Sequence, residues 1–189
     1  MVSPCVRISS GQTVDEQEIL QLACGQPTEG DGVDALDRRI LIELQQDGNL
    51  TNARLAQALG LSQSAMSERV RRLEQDGHIT GYRALVNPAS LGLGLQAFVA
   101  AELNHHSTES IESFERGVVA LEAVRACYHV AGRFDYLLHV AVRDLEHLGQ
   151  LIKYEIAAIP GVDKVETMLV YSEVKSDAGW PVPTEGANE

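Results

Sequence analysis

Nowhere does this 189-residue chain hold the ~18–20 consecutive apolar residues that a membrane-crossing helix needs. Its first residues, MVSPCVRISSGQ, lack the apolar core of a secretory signal, so no export signal is expected. Cysteine is scarce. Cys5, Cys24 and Cys127 are odd in number and far apart, which argues against a disulfide framework and for a reducing, cytoplasmic setting. Catalytic signatures are missing too: there is no G-x-S-x-G and no P-loop. Gly92-x-Gly94 has no third glycine and no strand–helix context, so the two read as glycines at the entry to a strand. His105-His106, Cys127-x-His129 and Asp144-x-x-His147 do not close a ligand set. No catalytic residue, metal or cofactor is therefore expected.

Positive charge is also in short supply, with 15 Lys and Arg against 27 Asp and Glu and a net charge of −12. The deficit is uneven. Residues 33–83 hold seven arginines against seven acids, while 84–189 hold seven basic and fifteen acidic residues. What the chain does have is 44% hydrophobic residues, enough to build cores. The neutral, arginine-containing segment is where the pattern is most specific. Val33 to Asp47 places Leu36, Ile40, Leu41 and Leu44 on one side of a helix that stops at Gly48. Thr51 can cap a short helix burying Leu55, Ala56 and Leu59; Gly60-Leu61 turns; Ser62 can cap a second helix running to about Gln75.

On that last helix Met66, Val70 and Leu73 form the buried stripe, and Ser64, Ser67, Glu68, Arg71, Arg72 and Gln75 lie on the outer side. Two helices joined by a glycine turn, the second outward-facing and rich in hydrogen-bonding groups, make a helix-turn-helix. Gln63, Ser64, Ser67, Glu68 and Arg71 are candidates for base edges in a DNA major groove, and Arg54, Ser62 and Arg72 for phosphates. The bland alternative is a solvated face with Glu68 paired to Arg72 at i,i+4. His78 to Val86 is expected as a strand forming a small wing, with Arg83 as a phosphate contact. A head of zero net charge binds duplex weakly by itself, so several heads acting together, hence a homo-oligomer, are expected.

The remaining organisation follows from composition. Residues 1–32 are a glycine-punctuated leader in which Thr13-Val14-Asp15-Glu16 could start a helix carrying Ile19, Leu20 and Ala23; the alternatives are a flexible leader or an arm packing on a partner subunit. Residues 33–86 are the reading domain, 87–94 a hinge, 95–175 a second domain, and 176–189 a loose tail. The second domain reads as strands at 95–103, 124–130, 135–142 and 164–171. Helices carrying Ile111, Phe114 and Val118, and then Leu148, Leu151, Ile152 and Ile156, fall between them. The order βαββαβ is the ferredoxin-like pattern, so the fold class is α+β. Two helices cover one face of such a sheet, and the other face is expected to pair with a second copy.

The residues ALDRRILIELQQDGNLTNARLAQALGLSQSAMSERVRRLEQDGHITGYRALVNP resemble the DNA-binding half of the Lrp/AsnC, or feast/famine, transcription regulators. VAGRFDYLL, IPGVDKVET and SEVK resemble that family's ligand-sensing and assembly half. The resemblance spans about residues 33–175. It implies dimers through the β-rich domain, further assembly into tetramers or octamers, and a small effector, commonly an amino acid, bound between dimers. The effector turn would be Gly132-Arg133-Phe134-Asp135-Tyr136, with backbone N–H groups for a carboxylate, Asp135 for an ammonium and Thr167 nearby. The same turn is also compatible with an ordinary hairpin in which Phe134 and Tyr136 only pack. Two other readings stay open. Siroheme decarboxylases resemble the same architecture, and His129, His139, Arg125 and Arg133 would then surround a tetrapyrrole. An assembly protein without DNA binding is the other. The arginine and serine face of the second helix favours DNA over the decarboxylase, while the near-neutral charge of residues 33–83 keeps the assembly protein in view.

Overall fold

The computed structural model describes residues 32–183, together with β1 (Val6–Arg7) and β2 (Thr13–Val14), which pair antiparallel. The rest of the expected N-terminal helix, with Ile19, Leu20 and Ala23, lies outside the described residues, as does the end of the tail. The chain divides into two compact units that change over at residues 85–86 and again at 173–174.

Among its described residues one unit holds three helices: α1 (Ala35–Gln46), α2 (Asn52–Leu59) and α3 (Gln63–Gln75). Each starts where a short polar side chain relieves the unpaired N–H groups of a first turn. Asp34 accepts from the Asp37 N–H, Thr51 from Arg54 and Ser62 from Ala65. Ile40, Leu55, Ala56, Met66, Val70 and Leu73 are buried together, with Leu41, Leu44 and Leu59 packed around them.

The strand expected at His78–Val86 does not form. A strand needs a neighbouring edge, and among the described residues of this unit there is none. Leu85 and Val86 stay exposed, while the Tyr82 hydroxyl donates to Glu74 at 3.0 Å. The segment after Glu173 lies with this unit. The Gln45 side chain donates to the Trp180 carbonyl (3.0 Å) and accepts from the Trp180 N–H, Arg38 reaches the Pro183 carbonyl, and Arg83 pairs with Asp177. Gly179 adopts φ +90°, and a Cβ there would come within 2.3 Å of the Gln45 carboxamide oxygen.

The other unit is built on the strands β3 (Leu95–Leu103), β4 (Val124–His129), β5 (Tyr136–Val142) and β6 (Val162–Leu169), in spatial order β4-β5-β3-β6 and antiparallel throughout. Helix α4 (Thr108–Val119) connects β3 to β4. Helix α5 (Leu145–Gln150) runs directly into a π-helical stretch, Leu151–Ile156, before β6. The βαββαβ order is thus as expected. The π stretch brings residues five apart into line, and Leu151 and Ile156 are both fully buried. Alternation sorts the strands: Ala97, Val99 and Ala101 of β3 and Tyr136, Leu138 and Val140 of β5 face the helices. They pack against Phe114, Val118, Leu148 and Leu151. Gly117 lets the chain close up, since a Cβ there would sit 3.1 Å from Ile159.

Phe114 is fully buried, with its ring 4.5 Å from that of Tyr136. Phe114→Ala is expected to destabilise this unit by about 3–5 kcal/mol, read from the shift of its urea unfolding midpoint.

Candidate nucleic-acid interface and effector turn

The turn between α2 and α3 is fixed by backbone geometry. Gly60 has φ +72°, a left-handed conformation that closes α2 through its N–H to the Ala56 carbonyl. The Leu61 N–H also bonds the Ala56 carbonyl, at 2.9 Å. Met66, Val70 and Leu73 then anchor α3 from beneath. The opposite ridge, Ser64, Glu68, Arg71 and Gln75, is exposed. Its spacing of four, three and four residues makes one continuous stripe.

The expected DNA-facing residues fall into three groups. Gln63 and Ser64 are exposed at the first turn of α3, and Arg54 is exposed on α2. Ser62 is partly occupied: its hydroxyl accepts the Ala65 N–H and bonds Ser64 Oγ, both at 3.2 Å. Ser67 receives the Asn52 carboxamide at 3.2 Å. Glu68 pairs with Arg71, not with Arg72 as an i,i+4 reading suggests, and Arg71 also donates to Gln75 at 2.6 Å. The Arg71 guanidinium holds the Glu68 carboxyl below its ordinary range, and the carboxylate in turn raises Arg71.

Arg72 points elsewhere. It donates to Asp37 on α1, whose side chain is fully buried. Arg69 joins it, 2.7 Å from both Asp34 and Asp37. The Asp37 N–H bond, with Arg69 beside it, keeps the Asp34 carboxyl below its usual range. Arg69, Asp37 and Asn52 are the residues that sequence reasoning missed. The signal for them was present: Arg69 lies beside the buried stripe of α3, and D-x-x-D at 34–37 is a capping box with aspartate at its third position.

In the sheet unit, the turn between β4 and β5 places Gly132, with φ +147°, next to Arg133 and Phe134 at the surface. Arg133 pairs with Glu166 of β6, and its guanidinium lies 4.5 Å from the Phe134 ring centre. Lys164 sits 5.9 Å from the same ring. Asp135 and Tyr136 are turned inward. The Asp135 carboxylate accepts the Leu103 N–H at 2.8 Å and meets His106 Nε2 at 2.9 Å. The Tyr136 hydroxyl donates to Glu115 at 3.0 Å, and burial, reinforced by that carboxylate, raises its pKa. Thr167 pairs with Val99 and so lies on the helix-covered face, whereas Glu166 pairs with Ala100 on the open face. The structure therefore brings Gly132, Arg133, Phe134 and Glu166 together, but not Thr167.

The histidines do not converge. His129 stacks on Tyr136, 4.6 Å between ring centres, on the helix-covered side. His139 stacks on Phe98 at 4.8 Å on the open face, where burial and then Arg125 lower its pKa. Among the described residues no group of His, Cys, Asp and Glu is placed to hold a metal, and no helix is long and apolar enough to cross a membrane.

Comparison with known proteins places both units. Residues 33–80 match a winged helix-turn-helix DNA-binding model, and residues 96–180 match the Lrp/AsnC ligand binding domain. The leucine-responsive regulatory protein of Serratia marcescens is 41% identical over 151 residues, covering 80% of this chain and 92% of that protein. The leucine-responsive regulatory protein of Escherichia coli K12 is 42% identical over 146 residues, covering 77% and 89%. Among solved structures, a transcriptional regulator of Neisseria meningitidis in complex with L-Met superposes with TM-score 0.75 at 31% identity, covering 78% of this chain and 96% of its own. A feast or famine regulatory protein of M. tuberculosis complexed with L-methionine gives 0.72 at 34% identity, covering 80% and 100%.

Gly60 has no atom within 4 Å of where a Cβ would stand, so its role is conformational. Gly60→Ala is expected to lower the stability of the helical unit by about 1–2 kcal/mol, measured by thermal unfolding.

Proposed function

The chain belongs to the Lrp/AsnC family of transcription regulators, and on that premise we propose how its residues read DNA and sense a small molecule. It is a sequence-specific DNA-binding regulator of that type. The observation that carries the assignment of residues is the α2–Gly60–α3 geometry, which buries one stripe of α3 and leaves the opposite ridge exposed. That helix enters the major groove. Gln63, Ser64, Ser67, Glu68 and Arg71 work on base edges, and Ser62 and Arg54 hold phosphates. Arg72 is not among them, because Asp37 holds its guanidinium.

The protein acts in the cytoplasm as a homo-oligomer and not as an enzyme. The open face of the sheet supports self-association: Phe98, Ala100, Ala126, Leu137 and Ala141 give it an apolar patch, and Tyr128 and Met168 are exposed beside it. Among the described residues no helix of this unit packs on that face, and a second copy would hide it. The separation of His129 and His139 onto opposite faces tells against a tetrapyrrole site.

The effector is an amino acid, as in the two relatives solved with L-methionine. It binds at the turn formed by Gly132, Arg133 and Phe134. Arg133 and Glu166 offer one charge of each sign to a zwitterion, and Phe134 offers an apolar ring. Asp135 and Tyr136 support the turn from inside, while Thr167 lies on the other face of the sheet. Effector binding shifts the assembly, and so the spacing of the reading heads and the half-sites they engage together.

Arg71→Ala should weaken binding to a duplex selected by the wild-type protein by about 1–3 kcal/mol in gel-shift titration; unchanged affinity would remove Arg71 from the base-reading set. Gly132→Asp should leave DNA binding intact and abolish the response to amino acids in the same assay. A retained response places the effector elsewhere.

A further inference from the structure

The three arginines of α3 are not equivalent. Arg71 belongs to the outward ridge, with Ser64, Glu68 and Gln75. Arg69 and Arg72, three residues apart, share the flank that faces α1. Both end on one carboxylate, Asp37, whose side chain has no solvent exposure; those of Arg69 and Arg72 retain 29% and 45%. Asp37 also accepts the Asp34 N–H at 3.3 Å, closing the capping box that starts α1. One buried carboxylate thus fixes the first turn of α1 and takes up two of the three positive charges of the recognition helix.

We propose that Asp37 is a specificity-determining positioning residue: by holding Arg69 and Arg72 against α1 it withholds two guanidinium groups from the phosphate backbone and fixes the rotation of α3 about its axis. The proposal rests on the DNA-reading function above and deepens it. The physical reasoning is competition. Two guanidiniums released on the flank of a helix lying in the major groove would reach the flanking phosphates of any duplex. That would add sequence-independent affinity equally to right and wrong sites. Held on Asp37, they add none, and discrimination is left to Gln63, Ser64, Ser67, Glu68 and Arg71. A buried carboxylate is well suited to the task. It is desolvated, so its grip on the arginines is weakly screened by salt, unlike that of exposed Glu68 on Arg71.

The test uses the full-length protein and two duplexes: one enriched by the wild-type protein from a random-sequence pool, and its scrambled counterpart. Affinity for each is measured across a salt series for wild type, Asp37→Asn and Arg72→Gln, with helicity checked by circular dichroism. Asparagine keeps the shape of the side chain and removes its charge. The expected result for Asp37→Asn is tighter binding to the scrambled duplex and at least a tenfold fall in the ratio of enriched to scrambled affinity. The slope of log affinity against log salt should steepen by about one to two, as one or two phosphates are newly neutralised. Arg72→Gln should leave the wild-type slope unchanged.

A slope shallower by about one in Arg72→Gln would show that Arg72 already contacts phosphate, and would overturn the proposal. So would an unchanged affinity ratio in folded Asp37→Asn. If Asp37→Asn does not fold, the Arg72→Gln slope decides alone. Failure of the wild-type protein to enrich any duplex would instead strike the regulator reading itself, and the specificity role of Asp37 with it.

Discussion

A recognition helix must be gripped from one side only. Any group that holds it on the outer ridge is lost to DNA, and any looseness beneath blurs where that ridge points. In this chain the grip has two parts. Met66, Val70 and Leu73 supply a non-directional apolar anchor. Asp37 supplies a directional one, through Arg69 and Arg72. The apolar stripe alone would tolerate some rotation of α3 about its axis; two guanidiniums converging on one buried carboxylate do not. The caps at Asp34, Thr51 and Ser62 and the left-handed Gly60 deliver the helices to that arrangement.

The sheet unit obeys a different constraint. Strict alternation along β3 and β5 commits one face to Phe114, Val118 and the helix ending at Ile156, and it also fixes what the other face must be. His139 and Phe98 land on that other face by register alone. The same parity separates Thr167 from Glu166, neighbours in sequence on opposite sides of the sheet. The β4–β5 turn lies where parity ends, so Arg133 and Phe134 are free to face outward while Asp135 and Tyr136 are already drawn into the interior.

Much of this was legible in the residues themselves. Caps, glycine stops and apolar periodicity are local signals, and they located every helix of the reading head and the order βαββαβ. What was not legible depends on partners distant in sequence. Arg72 looked like an outward arginine because the residue that claims it, Asp37, is 35 positions away. Asp135 read as an available acid because nothing local reveals that Leu103 and His106 have taken it. The expected strand at His78–Val86 failed for the same reason: β-propensity is local, but a strand exists only with a neighbour. The segment around Trp180 read as loose because nothing local marks the carboxamide of Gln45, which bonds both the backbone N–H and the carbonyl of Trp180.

That last contact makes the reading head discontinuous in sequence, and the discontinuity acquires meaning in time. Residues 26–85 leave the ribosome early, but the stretch from Val174 that lies with them follows only after the entire sheet unit has been made. At ~5–20 residues per second, the delay is roughly 5–20 s. Throughout it Gln45, Arg38 and Arg83 have yet to meet Trp180, Pro183 and Asp177. The reading head of a growing chain therefore passes through a stage in which all three of its helices have been synthesised but the contacts made from Val174 onward have not.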